Sequence, residues 1–166
     1  KKKFTKILIR NNFSSKLRII IDCANGSSYK VVKYIFSKIN INLIYIKDKP
    51  NGRNINYKCG SLYPQSLIKE VKKKSADFGI SFDGDGDRLI CCDEKGKVID
   101  GAKILACLEK YQKKFLVIRN GIVGTLMSNM GLENFLNGMG INFYRSNVGD
   151  RHVYDLMNKK KCNIGG

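Results

Sequence analysis

The sequence predicts an α/β protein: a three-layer domain on a mixed, mainly parallel sheet, followed by an incomplete second α/β domain. Three observations carry that expectation. From Leu17 to Phe82, short apolar runs suited to buried strands alternate with amphipathic stretches suited to helices. A strand–helix–strand–helix–strand order calls for a parallel sheet with right-handed crossovers. After Lys114 the same alternation starts again, so the expected domains are residues 1–114 and 115–166, with a boundary near Lys110 to Lys114.

The elements follow in order. "LRIIIDCANG" (Leu17 to Gly26) is an apolar run closed by a turn signal, as a buried strand requires. "SSYKVVKYIFSKI" then puts Val31, Val32, Ile35, Phe36 and Ile39 on one helical face, with a serine available as N-cap. Ile41 to Asp48 reads as a second strand, and a polar loop with Pro50, Asn51, Gly52, Asn54 and Asn56 follows. Pro64 opens a helix through Lys74, with Leu67, Ile68 and Val71 facing inward. Ala76 to Phe82 is a third strand, and "LICCDEKGKVID" reads as a hairpin around Glu94-Lys95-Gly96. Gly101 to Lys114 forms a helix carrying Ile104, Leu105 and Leu108. In the second domain, Phe115 to Asn120 is expected as a strand, Leu126 to Gly138 as a helix and Ile141 to Asn147 as a strand. A loop and a helix over "VGDRHVYDLMNKKK" come next, and "CNIGG" begins a further strand with no visible ending, so the chain reads as a piece of a longer protein.

Composition narrows the function classes. The chain has 166 residues, 43% hydrophobic and 10% aromatic, which is globular rather than disordered. No apolar run approaches the roughly 20 residues needed to cross a bilayer. The basic start, "KKKFTKILIRNNF", lacks the apolar centre and cleavage site of a secretory signal, and a cytoplasmic location is expected. The net charge of +17 raises the question of nucleic acid, but the lysines lie throughout the chain instead of on one aromatic-studded stripe. A dedicated nucleic-acid function is therefore disfavoured, and a positive field suits a phosphorylated small molecule equally well. Six cysteines form no C-x-x-C pair and His152 is the sole histidine, so reduced, mostly buried thiols are expected in place of a zinc site.

The chemistry concentrates in "SFDGDGDRLICC" (Ser81 to Cys92), where Asp83, Asp85 and Asp87 alternate with glycines. Three carboxylates this close repel one another unless something positive sits among them. They follow a strand, at the carboxyl edge where open α/β sheets gather their functional loops. Gly84 and Gly86 let the backbone bend so that the oxygens converge, and three hard oxygen donors suit Mg²⁺ with positions left for phosphate or water. Arg88, next in line, can hold phosphate oxygens that the cation does not, or can simply balance the acids. Other readings stay open here. An EF-hand would put Asp83, Asp85, Asp87 and Glu94 at the right positions, but Arg88 stands where its glycine belongs and the flanks read as strands. An aspartyl-nucleophile phosphatase and a plain Asp-Gly turn are the others.

These residues resemble a known family. "DFGISFDGDGDRLICCDEKGKVIDG" is similar to the metal-binding loop of the α-D-phosphohexomutases, whose signature is D-G-D-G-D-R. "GIVGTLMSNMGLENFLNGMGINFYRSNVGDRHVYDLM", with "DCANG" and "PNGRNIN", resembles the phosphoglucosamine mutase branch in particular. The resemblance implies an intramolecular phosphotransferase, an isomerase of amino-sugar biosynthesis that feeds cell-envelope precursors. In it an enzyme phosphoserine and Mg²⁺ interconvert glucosamine 6-phosphate and glucosamine 1-phosphate. It implies one Mg²⁺ on Asp83, Asp85 and Asp87, phosphate support from Arg88, and contact with the phosphorylated hexosamine through Gly149, Asp150 and Arg151. It also implies the second of four domains and part of the third. No residue here resembles the phosphate-carrying serine: Ser27 and Ser28 read as helix caps and Ser81 as a strand residue. No catalytic residue is therefore expected in this stretch, and the chain alone is expected to be inactive. The alternatives are a phosphomannomutase or phosphoglucomutase of the same superfamily, or a non-catalytic binding module that uses its basic surface for nucleic acid.

Overall fold

A computed structural model describes residues 16–37, 39–115 and 118–166. The expected basic start and the Leu116–Val117 part of the strand expected over Phe115 to Asn120 lie outside the described residues. The chain forms two compact units that divide between Ile99 and Asp100.

In the first unit, strands β1 (Arg18–Asp22), β2 (Asn42–Ile46) and β3 (Phe78–Phe82) pair in parallel, with β1 in the middle. Strands β4 (Leu89–Asp93) and β5 (Val98–Ile99) add antiparallel beyond β3, giving the order β2-β1-β3-β4-β5. Alternation along β1 divides the core between the two faces. Ile20 points to helix α2 (Gln65–Lys73), where Leu67, Val71, Ala76 and Cys92 are buried with it. Its neighbour Ile21 points the other way, to Cys23 and to Val32 of helix α1 (Tyr29–Phe36). Gly79 lets α2 approach closely: a Cβ there would lie 2.7 Å from both Val71 Cγ2 and Cys92 Sγ. The β4–β5 turn is held by Asp93, whose carboxylate accepts from the N–H groups of Lys95 and Lys97.

Two local expectations change in this unit. Val31 is 51% exposed, because the inward line of α1 runs through Val32 and turns its neighbour to solvent. Ser28 precedes α1, yet its side chain makes no capping hydrogen bond, and its backbone is already helical, which aims the hydroxyl away from the first-turn N–H groups.

The second unit contains α3 (Gly101–Phe115), β6 (Ile122–Thr125), α4 (Met130–Gly138), β7 (Phe143–Ser146), α5 (Asp150–Lys160) and β8 (Ile164–Gly165). Its sheet is parallel, in the order β7-β6-β8. Leu105, Ile122, Leu132 and Leu136 form one core cluster and Val123, Val153 and Cys162 another, so Ile122 and Val123 feed opposite faces. Leu105 commits α3 to this core, and the helix expected to close the first domain belongs to the second unit. Leu108, expected inward on α3, is 44% exposed.

Among the described residues, the strand that follows α3 is β6, later than the stretch expected over Phe115 to Asn120. Phe115 ends α3, and Asn120 and Gly121 take positive φ values of 61° and 126°, which an extended ladder cannot contain. The next helix starts at Met130 rather than Leu126, because Asn129 caps it: its side chain accepts from the Gly131 N–H at 2.6 Å. Arg145 of β7 ties down the turn between β6 and α4. It pairs with Glu133 at 2.7 Å and donates to the carbonyls of Thr125 and Ser128.

Candidate metal centre

Strand β3 ends at Phe82, and the next residue is the anchor of the acidic loop. Asp83 is 6% exposed, and one of its oxygens accepts from the N–H groups of Gly86 and Arg88, each at 3.1 Å. This turn, with Gly86 at a φ of +80°, folds the loop back on itself. Asp85 and Asp87, both exposed, are thereby brought to Asp83, and one oxygen from each of the three lies within 4.8 Å of the others. Convergence thus comes from a turn as well as from the spacing of two.

The electrostatics show the strain of this arrangement. Burial raises the pKa of Asp83, but the donors on Arg88 and Gly86 and its bond with Asp87 outweigh it and hold the carboxyl below the usual range. Asp87 is pushed up, first by sharing a hydrogen bond with Asp83, then by burial and by the charges of Asp83 and Asp85. Three carboxylates thus crowd one another, leaving an excess of negative charge in the loop. A divalent cation relieves that excess, and an all-oxygen donor set suits Mg²⁺ or Ca²⁺ in preference to a thiophilic metal. Arg88 relieves it little: its Nε stands 3.9 Å from Asp83 and 4.0 Å from Asp87, and its side chain is largely exposed. The guanidinium is free to take another anion. Strands on both sides of the loop, β3 and β4, dispose of the EF-hand reading, which needs helices.

Two further loops fix the acidic one. In the turn after β1, the Ser27 N–H donates to the Gly84 carbonyl at 2.8 Å, and a Cβ on Gly26 would fall 2.4 Å from that same oxygen. Asp22, fully buried, accepts from the N–H groups of Ala24 and Gly60 and so joins that turn to the loop preceding α2. Asn56 N–H donates to the Ala24 carbonyl, and Ser61 N–H to the Phe82 carbonyl. "DCANG" and "PNGRNIN", expected as a turn and a loop and as marks of the resemblance, carry no local sign that they brace the acidic loop. A buried-strand aspartate running into Asn-Gly was the signal available for Asp22.

Gly149, Asp150 and Arg151 lie at the start of α5, in the second unit. All three are exposed, Gly149 has a φ of +124°, and the Asp150 carboxylate accepts from the Arg151 N–H. His152 is exposed beside them. Ser81 is fully buried in β3, which suits the strand role expected for it.

A mixed five-stranded α/β unit with a glycine-spaced acid cradle at its strand ends, followed by a parallel α/β unit, matches a known pair of domains. Residues 2–96 match the family described as Phosphoglucomutase/phosphomannomutase, alpha/beta/alpha domain II, and residues 100–166 match its alpha/beta/alpha domain III. The chain belongs to the phosphoglucomutase/phosphomannomutase family. Within it, the chain is 45% identical to a phosphoglucosamine mutase of Nitratiruptor over its whole length, and 47% identical to one of Pelagibacter ubique over 99% of its length. It spans 37% and 38% of those two relatives. Among solved structures, a phosphoglucomutase/phosphomannomutase family protein of Burkholderia thailandensis shares the fold over 99% of this chain and 37% of its own, at a TM-score of 0.81 and 19% identity. The N-acetylphosphoglucosamine mutase of Aspergillus fumigatus, solved with GlcNAc-6P and magnesium, shares it over 98% of this chain and 34% of its own, at 0.64 and 20%.

Proposed function

We propose that this chain is the metal-loop portion of a phosphoglucosamine mutase, which interconverts glucosamine 6-phosphate and glucosamine 1-phosphate. The observation that carries the reading is the convergence of one oxygen each from Asp83, Asp85 and Asp87 within 4.8 Å. The 45% identity to a phosphoglucosamine mutase supports the hexosamine branch.

In this reading Asp83, Asp85 and Asp87 hold one Mg²⁺. Bound there, the ion neutralises charge on a phosphoryl group in transit between an enzyme serine and the sugar. The N–H groups of Gly86 and Arg88 hold Asp83 in the charged form and aim it, and a cation bound there would offset the mutual repulsion that raises the pKa of Asp87. Arg88, whose carboxylate contacts are long, turns its guanidinium to the phosphate oxygens. Gly149, Asp150 and Arg151 meet the sugar phosphate through exposed backbone and the Arg151 side chain. The phosphate-carrying serine is none of Ser27, Ser28 and Ser81: Ser81 is fully buried, and the other two sit in the turn that holds Gly84.

The net charge of +17 draws anionic sugars to the protein. We assign the reaction to the cytoplasm: all six cysteines are free thiols, and no helix among the described residues is long and apolar enough to cross a membrane.

Calorimetric titration of Mg²⁺ into the chain and into Asp85→Asn tests the metal role; equal binding by both refutes it. In the whole protein, glucosamine 6-phosphate should be converted far faster than mannose 6-phosphate, and the reverse order would assign the chain to a phosphomannomutase.

A further inference from the structure

We infer that Ile55 is a positioning residue for the acidic loop: its side chain bears on Gly84 and sets where the carboxylates on either side of that glycine converge. The inference rests on the reading of Asp83, Asp85 and Asp87 as Mg²⁺ ligands.

Ile55 stands in the polar loop "PNGRNINYK" and is 50% exposed, so it belongs to no core cluster among the described residues. An aliphatic side chain in such a loop needs another reason to be ordered, and its contact supplies one. A Cβ built on Gly84 would lie 2.6 Å from Ile55 Cδ1 and 2.7 Å from Ile55 Cγ1, so the isoleucine rests directly on the glycine backbone. Gly84 does not have a positive φ, and its conformation admits alanine; what excludes a side chain there is Ile55 together with the neighbouring Asn56 amide.

The contact is placed where it matters for an ion. Gly84 joins Asp83, the buried anchor, to Asp85, which is exposed and whose carbonyl accepts from the Ser27 hydroxyl at 3.4 Å. The Gly84 carbonyl is fixed by Ser27 N–H, and the Ile55 loop is tied to the same turn through the Asn56 N–H and the Ala24 carbonyl. Ile55 therefore closes a triangle of three loops around the one peptide that aims Asp85. Groups of this kind, which orient ligands without touching the ion, typically govern its affinity.

The test is a calorimetric Mg²⁺ titration of the full chain, with thermal midpoints recorded alongside, for the parent, Ile55→Ala, Ile55→Val, Gly84→Ala, the Gly84→Ala/Ile55→Ala pair and Asp85→Asn. Ile55→Ala is expected to bind about tenfold more weakly, with Ile55→Val restoring most of the affinity. Gly84→Ala is expected to lose affinity by collision, and adding Ile55→Ala to regain part of it, because the obstructing atoms are then gone. Parent affinity in Ile55→Ala, beside a loss in Asp85→Asn, overturns the role of Ile55 and leaves the metal reading standing. Parent affinity in Asp85→Asn overturns both. If Ile55→Ala proves too unstable to titrate, the two Gly84 variants decide: recovery in the pair supports the inference, and additive losses overturn it.

Discussion

The Asp22 carboxylate accepts a hydrogen bond at 3.2 Å from the Gly60 N–H, 38 residues away along the chain, while its other oxygen accepts from Ala24 N–H at 2.8 Å. This fully buried acid thus ties the turn after β1 to the loop before α2, the two segments that brace the acidic loop. Replacement by asparagine leaves one acceptor and turns an NH₂ group toward an N–H donor. Asp22→Asn should cost about 1–3 kcal/mol at neutral pH, read from urea unfolding.

The same residue predicts a pH dependence. Burial raises the Asp22 pKa above its ordinary 3.8, against the lowering effect of the Ala24 and Gly60 N–H groups and of Lys47. The folded state therefore holds the proton more tightly than the unfolded chain. The stability this contributes is fully present below the unfolded value and is lost as pH rises through the folded one. Unfolding measured from about pH 4 upward should show that loss in the parent and a flatter profile in Asp22→Asn. Identical profiles would contradict the assignment.

Asp83 and Asp85 should separate under substitution. Asp83 accepts two N–H groups that shape its own loop, whereas Asp85 is exposed. Asp83→Ala should lower stability by about 1–3 kcal/mol and abolish ion binding together. Asp85→Ala should abolish ion binding with the thermal midpoint nearly unchanged. A matching fall in midpoint for both would show that the loop's shape does not depend on Asp83.

Arg145 and Glu133 pair at 2.7 Å with both side chains only partly exposed, and the same guanidinium holds the carbonyls of Thr125 and Ser128. Lysine cannot reproduce that fork. Arg145→Lys should destabilise the second unit by about 2 kcal/mol and raise amide exchange over residues 125–128. Unchanged exchange there would show that the turn holds without it.

The division between Ile99 and Asp100 predicts that a chain ending at Ile99 unfolds in one cooperative transition, since both faces of its sheet carry their own helix. Extending it to Lys114 should add helix without adding stability, because Leu105 packs with Ile122, Leu132 and Leu136. Circular dichroism and tyrosine fluorescence transitions that fail to coincide in the shorter chain would contradict this.

Much of the candidate site was legible because its chemistry is contiguous. Asp83, Asp85, Asp87 and Arg88 fall within six residues after an evident strand, and glycine spacing announces a turn whatever surrounds it. Gly149 to Arg151 were expected in a loop, whereas the last helix takes in Asp150 and Arg151, and no local signal gives them a task. The first five strands and both helices of the first unit were also readable, since parallel strands and amphipathic helices carry their own periodicities. Errors clustered where two neighbouring segments were equally apolar. "FLVI" and "IVG" both suit a strand; the described sheet holds the second, and positive φ at Asn120 and Gly121 sets it off from what precedes.

Local order along the chain was therefore enough to declare the α/β class and the cluster of glycine-spaced acids, because each depends on residues within a few positions of one another. The allegiance of α3, the bracing of Gly84 by Ile55 and Gly26, and the reach of Asp22 to Gly60 emerged only on folding. Each depends on which distant segment arrives alongside, and that is settled by packing and by the pairing of buried polar groups, which leave no periodic trace in the order of residues.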